Sequence, residues 1–569
     1  MPVPESHYLP VTDPALRVPP LRDRDGTMSL RERKTHLLLL WTTASLFCCG
    51  LTIADPDLWG HTLYGMRSIE QGVLTEKNDP FSYTVPQAAW VNHEWLTEYQ
   101  IGWLWSHFGN TGLWWWRNVW VLLVFVTAAW MFRRAQASVA AAAVLWLFNA
   151  ETLSQFVVFI RPQLATYGLF ALTLAILRSE WNQKSRRIWF LPAIMMFWVN
   201  LHGGFLAGVA MQGLFLAATC LRCWRLKSFQ HEGLTPARMT AVFAISGAAT
   251  LVNPYGFTMH QMLWYHLGTE QFVREWQPLW TAQQSAVYYA PYLLLALAAL
   301  GYRRWQGIDL LVTAVVCYEA ISHIRHTALL AITIMVLFPG PMTEGLRRCF
   351  AILHRQWAGE HRRAVRAVAV ACGIAILIGV QVSGSIRMWQ SGMKPWDIAV
   401  ETSGDVPGVP LKAIRLIQQL GIKGNLVTDY GWAQFVIWHL YPETKIAFDG
   451  RYRTVYPPQL EREFIEFQIA HVLKPETTPI LDEYQTEIAL ISTVRGPCAY
   501  LDGRDDWVRL YQDEQVSLYL RKLPKFEAII ERALHAENHA VATPPVWDRF
   551  PGAAQNRNSS ARVAVVSTR

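Results

Sequence analysis

Apolar residues along this chain gather in runs, separated by short basic stretches, that approach the length of a membrane-spanning helix. They fall at 37–54, 113–131, 137–150, 164–177, 188–200, 204–222, 239–253, 287–301, 308–322, 327–340 and 365–384. Several are shorter than the ~20 residues a full span needs, so their polar ends are expected to stay within a bundle. The pattern predicts a polytopic α-helical membrane bundle of about eleven spans, in a range of roughly ten to thirteen. The stretch WLTEYQIGWLWSHF at 95–108 is apolar but short and carries Glu98. It is expected as an interfacial or partly inserted helix.

Beyond residue 385 the period changes. A helix is predicted over 410–421, a strand over 425–429, a helix over 432–440, strands over 445–451 and 488–493, and a hairpin-like pair over 507–522. Such alternation predicts a small α/β domain. The expected organisation is a cytoplasmic segment at 1–36 and a transmembrane domain at 37–384 with an outer loop at 55–112. An extracytoplasmic α/β domain at 385–525 and a disordered tail at 526–569 complete it.

The basic residues orient the bundle. Arg31, Arg33 and Lys34 precede the first run and place the N-terminus in the cytoplasm. Arg133 and Arg134, then 178–187, 222–227, Arg303 and Arg304, and 347–366 fall on the same side. An odd number of spans puts the C-terminal domain outside, and the expected location is a bacterial inner membrane. Composition agrees: 52% of the 569 residues are hydrophobic, 17% are charged, and there are 27 tryptophans, a residue that collects at membrane interfaces. The net charge of +8 is accounted for by orientation and is no signal for nucleic acid. Of the eight cysteines most lie in apolar runs, and Cys220 and Cys223 form a lone C-x-x-C that reads as packing.

The same orientation sorts the unusual polar clusters. ADPDLWGH (54–61), WVNHEWL (90–96), FIRPQLATY (159–167), WVNLHGG (198–204), LVNPYGF (251–257) and SHIRHTA (322–328) all map to the outer face. Charge at helix ends inside a bundle is costly and marks function. Asp55 and Asp57 can simply stop a helix, yet Trp59 and His61 follow them. Arg161 can snorkel to the interface or face a lipid phosphate. His202 precedes two glycines that allow close helix approach. His323 and His326 lie one turn apart, with Glu319 or His93 as the third ligand a metal would need.

These motifs resemble the GT-C class of integral-membrane glycosyltransferases, and within it a bacterial branch of the protein-mannosyltransferase-like and aminoarabinose-transferase-like proteins. The resemblance rests on ADPDLWGHTLYGMRSIEQG, NDPFSYT, WVNHEWL, RPQ, NLHGG, RH and FDGRYRTVYP (448–457), and covers roughly residues 37 to 523. It implies inverting sugar transfer from a polyprenyl-phosphate-linked donor to an acceptor glycan, lipid or protein at the outer face, among membrane lipids. It further implies that Asp55 or Asp57 is the first-loop catalytic carboxylate, and Glu94, after His93, can play the part of a second acidic motif. A base must take the acceptor proton and cations must meet the leaving phosphate. Asp55 and Asp57 are the candidates for the first role, and His61, His93, Glu94, Arg161, His202, Arg325 and His326 for substrate binding. No cofactor is certain; a divalent metal ion held by Asp55, Asp57 and His93 fits the donor types. The residues also leave open a non-enzymatic membrane component of cell-envelope polysaccharide assembly or export. A carrier fits less well, because ionisable residues gather at one face rather than at mid-membrane.

Overall fold

The computed structural model describes residues 30–183, 185–226, 233–268, 273–281, 286–353, 375, 392–401, 408–469, 473, 478–493, 495–535 and 547–552. The described apolar runs become the helices α1 (Leu30–Cys49), α3 (Trp95–Ala135), α4 (Val139–Val157), α5 (Gln163–Glu180), α6 (Leu191–Leu201), α7 (Phe205–Leu226), α8 (Pro236–Ala249), α10 (Ala290–Ala299), α11 (Gly307–Ser322) and α12 (Thr327–Leu337). Two further helices, α2 (Leu58–Glu70) and α9 (Thr258–Leu267), lie in the connections, and α13 (Pro339–Leu353) continues past the end of the run at 327–340 into the basic stretch expected as a loop. α1 packs on α4, α3 on α5, and α12 against both α4 and α5. Large apolar side chains such as Leu46, Val119, Phe148, Phe190, Trp224 and Leu293 remain exposed on the bundle. An apolar surface of this extent is suited to lipid, and the chain is a membrane protein.

Two helices are long and apolar enough to cross a membrane, α3 and α7, and the bent pair α12–α13, with an angle of 77°, would make a third. The expected eleven or so spans are therefore not reached by length and composition among the described residues. The physical reason is that polar clusters and prolines cut the apolar runs short, as Pro339 does between α12 and α13. The run at 365–384 lies outside the described residues. The stretch at 95–108 is continuous with the following run, but the helix breaks at Gly109, whose φ of 56° is left-handed.

Arg117 lies within α3 and is fully buried. All five of its N–H groups are used: Nε donates to Val157 O (2.5 Å), Nη1 to Thr52 Oγ1 and Asn118 Oδ1 (both 3.0 Å), and Nη2 to Cys48 O (2.6 Å) and Leu51 O (3.0 Å). The carbonyls belong to the ends of α1 and α4, where helices leave such groups unpaired and their dipoles favour a cation. One side chain thus closes two helix ends directly beneath the Asp55 loop.

The C-terminal part holds a five-stranded sheet in the order β3-β2-β4-β6-β5, with β2 Gly424–Thr428, β3 Thr444–Ile446, β4 Ile488–Ser492, β5 Trp507–Gln512 and β6 Val516–Arg521. β2 pairs in parallel with β3 and β4, and the hairpin β5–β6 completes the sheet antiparallel to β4. The expected strand at 445–451 ends at Ile446, because the following Ala447–Arg451 turns toward the first loop. The tail expected to be disordered from 526 is partly ordered. Glu527–His535 is a helix, and β7 (Trp547–Arg549) pairs antiparallel with β1 (Ala399–Glu401). Apolar anchors explain this: Phe550 packs against Trp59, Trp105 and Trp438, and Pro551 O accepts from Trp59 Nε1 at 2.8 Å.

Backbone bonds stitch the first loop to this C-terminal part. Ala54 N donates to Ala399 O (2.8 Å), Tyr83 N to Ile446 O (3.1 Å), Ile446 N to Phe81 O (3.1 Å) and Val91 N to Thr454 O (3.2 Å). Arg117→Met should leave several buried acceptors unpaired and cost on the order of 3 kcal/mol or more. Thermal unfolding of the purified protein should show a clear drop, whereas Arg133→Met, exposed on the same helix, should melt as the wild type does.

Candidate active site

The first-loop carboxylates differ in their surroundings. Asp55 is buried; its Oδ1 accepts the Asp57 N–H at 3.0 Å and its Oδ2 is paired with Arg161 Nε. Arg161 also donates from Nη1 to Glu275 Oε1 at 2.5 Å and lies over the Phe159 ring at 4.9 Å. That arginine is neutralised from both sides. Asp57 stands at the N-cap of α2, yet its carboxylate makes no hydrogen bond among the described residues. Burial, then the neighbouring Asp55, push its carboxyl up to about 7.

α2 carries His61 over α3 because glycines let the two helices approach. A Cβ on Gly102 would stand 2.5 Å from Gly65 C and Met66 N, both backbone atoms. His61 Nδ1 therefore lies 3.0 Å from Glu98 Oε1, and its Nε2 is 3.9 Å from Glu94 Oε2. Burial alone would lower this imidazole, but the Glu98 hydrogen bond and the Glu94 charge raise it to about 9. Asn92 Nδ2 donates to Glu98 Oε2 at 2.5 Å and Asn92 Oδ1 accepts the Glu94 N–H at 3.0 Å, so one asparagine fixes both glutamates.

Glu94 is the meeting point of three histidines. Its Oε1 lies 3.6 Å from His93 Nε2 and 3.5 Å from His202 Nε2. His202 Nδ1 accepts the Gly204 N–H at 2.9 Å and lies 2.9 Å from the Thr166 hydroxyl, which itself accepts from Trp198 Nε1. An Nδ1 that accepts carries no hydrogen, so the neutral ring keeps its proton on Nε2, facing Glu94. Burial pushes the Glu94 carboxyl up to about 7 against the pull of His61, and pushes His93 down to about 3.

Arg325 sits between α11 and α12 with its guanidinium 4.5 Å from the Trp276 ring centroid. It makes no hydrogen bond or ion pair among the described residues, while its charge acts on Glu94, His93, His202 and Glu275. His326 points elsewhere: its Nδ1 is 3.2 Å from Glu319, and His323 Nδ1 is bonded to Trp276 O at 2.8 Å. Asp55, Asp57, His61, His93, Glu94, Arg161, His202 and Arg325 thus share one polar cluster, with His326 at its margin.

Among the described residues the group with metal-ligand spacing is His61, Glu94 and Glu98, whose ligand atoms all lie within 4.8 Å of one another. It shares no member with the trio Asp55, Asp57 and His93. Two carboxylates and an imidazole suit a hard or borderline divalent ion, but here the His61 cation and Asn92 already meet the carboxylates. Glu98 had a sequence signal, since it lies one helical turn after Glu94. Glu275 had none, and Asp449, Gly450 and Arg451 enter from the sheet. A surface cleft of about 760 Å³ lies apart from the cluster, lined by Arg67, Gln71, Thr75, Lys77 and Pro254 among others.

No family model matches the chain, and no curated protein matches it in sequence. The oligosaccharyltransferase of Archaeoglobus fulgidus in its apo form is similar in structure with a TM-score of 0.52 at 10% identity, over 82% of this chain and 70% of that one. ArnT from Cupriavidus metallidurans, bound to undecaprenyl phosphate, gives 0.44 at 12% identity, over 85% and 96%. The fold is GT-C-like, as the motifs implied.

Asp57, Glu94 and His61 all hold protons more tightly in the folded protein than in the unfolded chain. The stability that these three groups contribute should therefore be fully present at low pH and be lost as pH rises from about 4 to about 9, while buried neutral His93 acts in the opposite sense below about 6.5. Thermal unfolding of a variant at one of the three positions separates its share of the decline from the rest. Asp57→Asn should remove part of it, melting higher than the wild type at pH 8 and not at pH 4.

Proposed function

We propose that this protein is a membrane glycosyltransferase that moves a sugar from a polyprenyl-phosphate-linked donor to an acceptor hydroxyl at the outer face, with inversion. The observation that carries this reading is the division of labour between the two aspartates. Asp55 is committed to Arg161 and to the Asp57 N–H, whereas the Asp57 carboxylate is unbonded among the described residues and is raised by burial to about 7. A general base works best when its pKa lies near the working pH. Asp57 takes the proton from the acceptor hydroxyl as its oxygen attacks the anomeric carbon. The bond from that carbon to the donor phosphate oxygen breaks, and the phosphate leaves with the electron pair.

The departing phosphate gains charge and needs a cation that is not already spent. Arg161 is neutralised by Asp55 and Glu275, which leaves Arg325, stacked on Trp276 with its donors available. Neutral His93 and His202 can donate to phosphate oxygens without a net-charge penalty. The apolar surface of the bundle accommodates the lipid tail.

Purified protein assayed with a panel of polyprenyl-phosphate sugars should transfer from at least one. Asp57→Asn should reduce transfer by about 10²-fold or more without loss of folded protein on gel filtration. Full activity in both Asp55→Asn and Asp57→Asn would overturn the reading. Arg325→Gln should impair the same reaction through the donor.

A further inference from the structure

The turn Asp449–Gly450–Arg451 follows β3 and reaches out of the sheet to the first loop. Arg451 anchors it. Its Nη1 donates to Asp79 Oδ1 of the first loop at 2.7 Å, its Nη2 to Asp449 Oδ2 at 2.7 Å, and its Nε to both Asp449 oxygens at 3.0 Å. The guanidinium is boxed by the rings of Tyr64, Phe81 and Trp90 at 5.4, 5.1 and 4.9 Å. Asp79 and Asp449 are fully buried. Between these fixed residues stands Gly450, and a Cβ there would clash with Asp57 Oδ1 and stand 3.1 Å from Asp57 Cγ.

We propose that the Asp449–Gly450–Arg451 turn is a positioning element for the Asp57 carboxylate, with Gly450 the residue whose missing side chain lets the sheet close over Oδ1. The inference rests on the reading of Asp57 as the base. Nothing else among the described residues bonds that carboxylate, so contact with the turn and the start of α2 sets its orientation. The groups whose charge acts on Asp57 come from both partners, Asp55, His61 and Arg161 from the bundle side and Asp449 from the sheet side, and the neutral Tyr430 and Tyr452 of the sheet side feel the Asp57 charge in turn. The turn also excludes water from one side of the carboxylate, which agrees with its upward shift. A side chain at 450 cannot be absorbed by Arg451, which two carboxylates and three rings hold in place. Asp57 must give way instead.

The test uses Gly450→Ala in the full chain, with Gly431→Ala as control, since a Cβ at 431 meets nothing within 4 Å. Carboxylates are labelled with a carbodiimide and glycine ethyl ester and followed peptide by peptide in a mass spectrometer. In Gly450→Ala, Asp57 should label several-fold faster than in the wild type or the control, while Asp79 and Asp449 stay protected. In the transfer assay kcat should fall by about a hundredfold with the donor KM little changed, and the acid limb of the pH profile should move toward the ordinary carboxylate range. Unchanged Asp57 labelling, a parallel rise at Asp79 and Asp449, or a wild-type kcat and pH profile would overturn the positioning role. Full transfer by Asp57→Asn would instead remove the base reading, so the two failures are distinguishable.

Discussion

A guanidinium buried between two carboxylates joins the two halves of this protein. Arg451 comes from the sheet and Asp79 from the first loop, and neither charge has water to fall back on. Burying such ions is expensive, so the arrangement holds only when geometry is good and every donor is met. Here both carboxylates are in direct contact and aromatic rings cover the flanks. Removing either partner would strand the other, and the backbone bonds between loop and sheet would lose their reference point. The polar cluster depends on that joint, because the loop carries Asp55, Asp57, His61 and Glu94.

Within the cluster, each cation except one is balanced locally. Arg161 is shared by Asp55 and Glu275, and His61 by Glu98 and Glu94. Arg325 leans on an indole ring, a contact that steadies a cation without neutralising it. An anion entering near Arg325 would find an attractive potential and two neutral imidazoles. The charge pattern thus fits an anionic ligand better than a second cation.

Much of this was legible from the chain. The apolar runs located the helices, although polar clusters and prolines cut most of them below membrane-spanning length among the described residues. Period changes located β2, β4, β5 and β6 and the helices at 411–420 and 433–440. The residues gathered around Glu94 were legible as polar clusters because isolated polarity beside an apolar run stands out. Arg117 was not, since a single arginine inside a run looks like a boundary until its acceptors are known. Gly450 stood within FDGRYRTVYP, yet its role was hidden for a different reason: it lies in contact with Asp57, nearly four hundred positions earlier, and such contacts have no period. The ordered stretch at 547–552 was missed because its anchors, Phe550 and Pro551, sit in a polar, proline-containing sequence.

The seating of Phe550 and Pro551 against Trp59 has a consequence for how the protein matures. Pro551 is made 492 residues after Trp59. Trp59 must therefore wait, without its final neighbour, while that whole stretch is synthesised. The loop can pair with Arg161 long before, but its closed form becomes available only when residues 547–552 arrive. Closure of the acidic loop is then a late event in biogenesis, set by a segment remote from it in sequence.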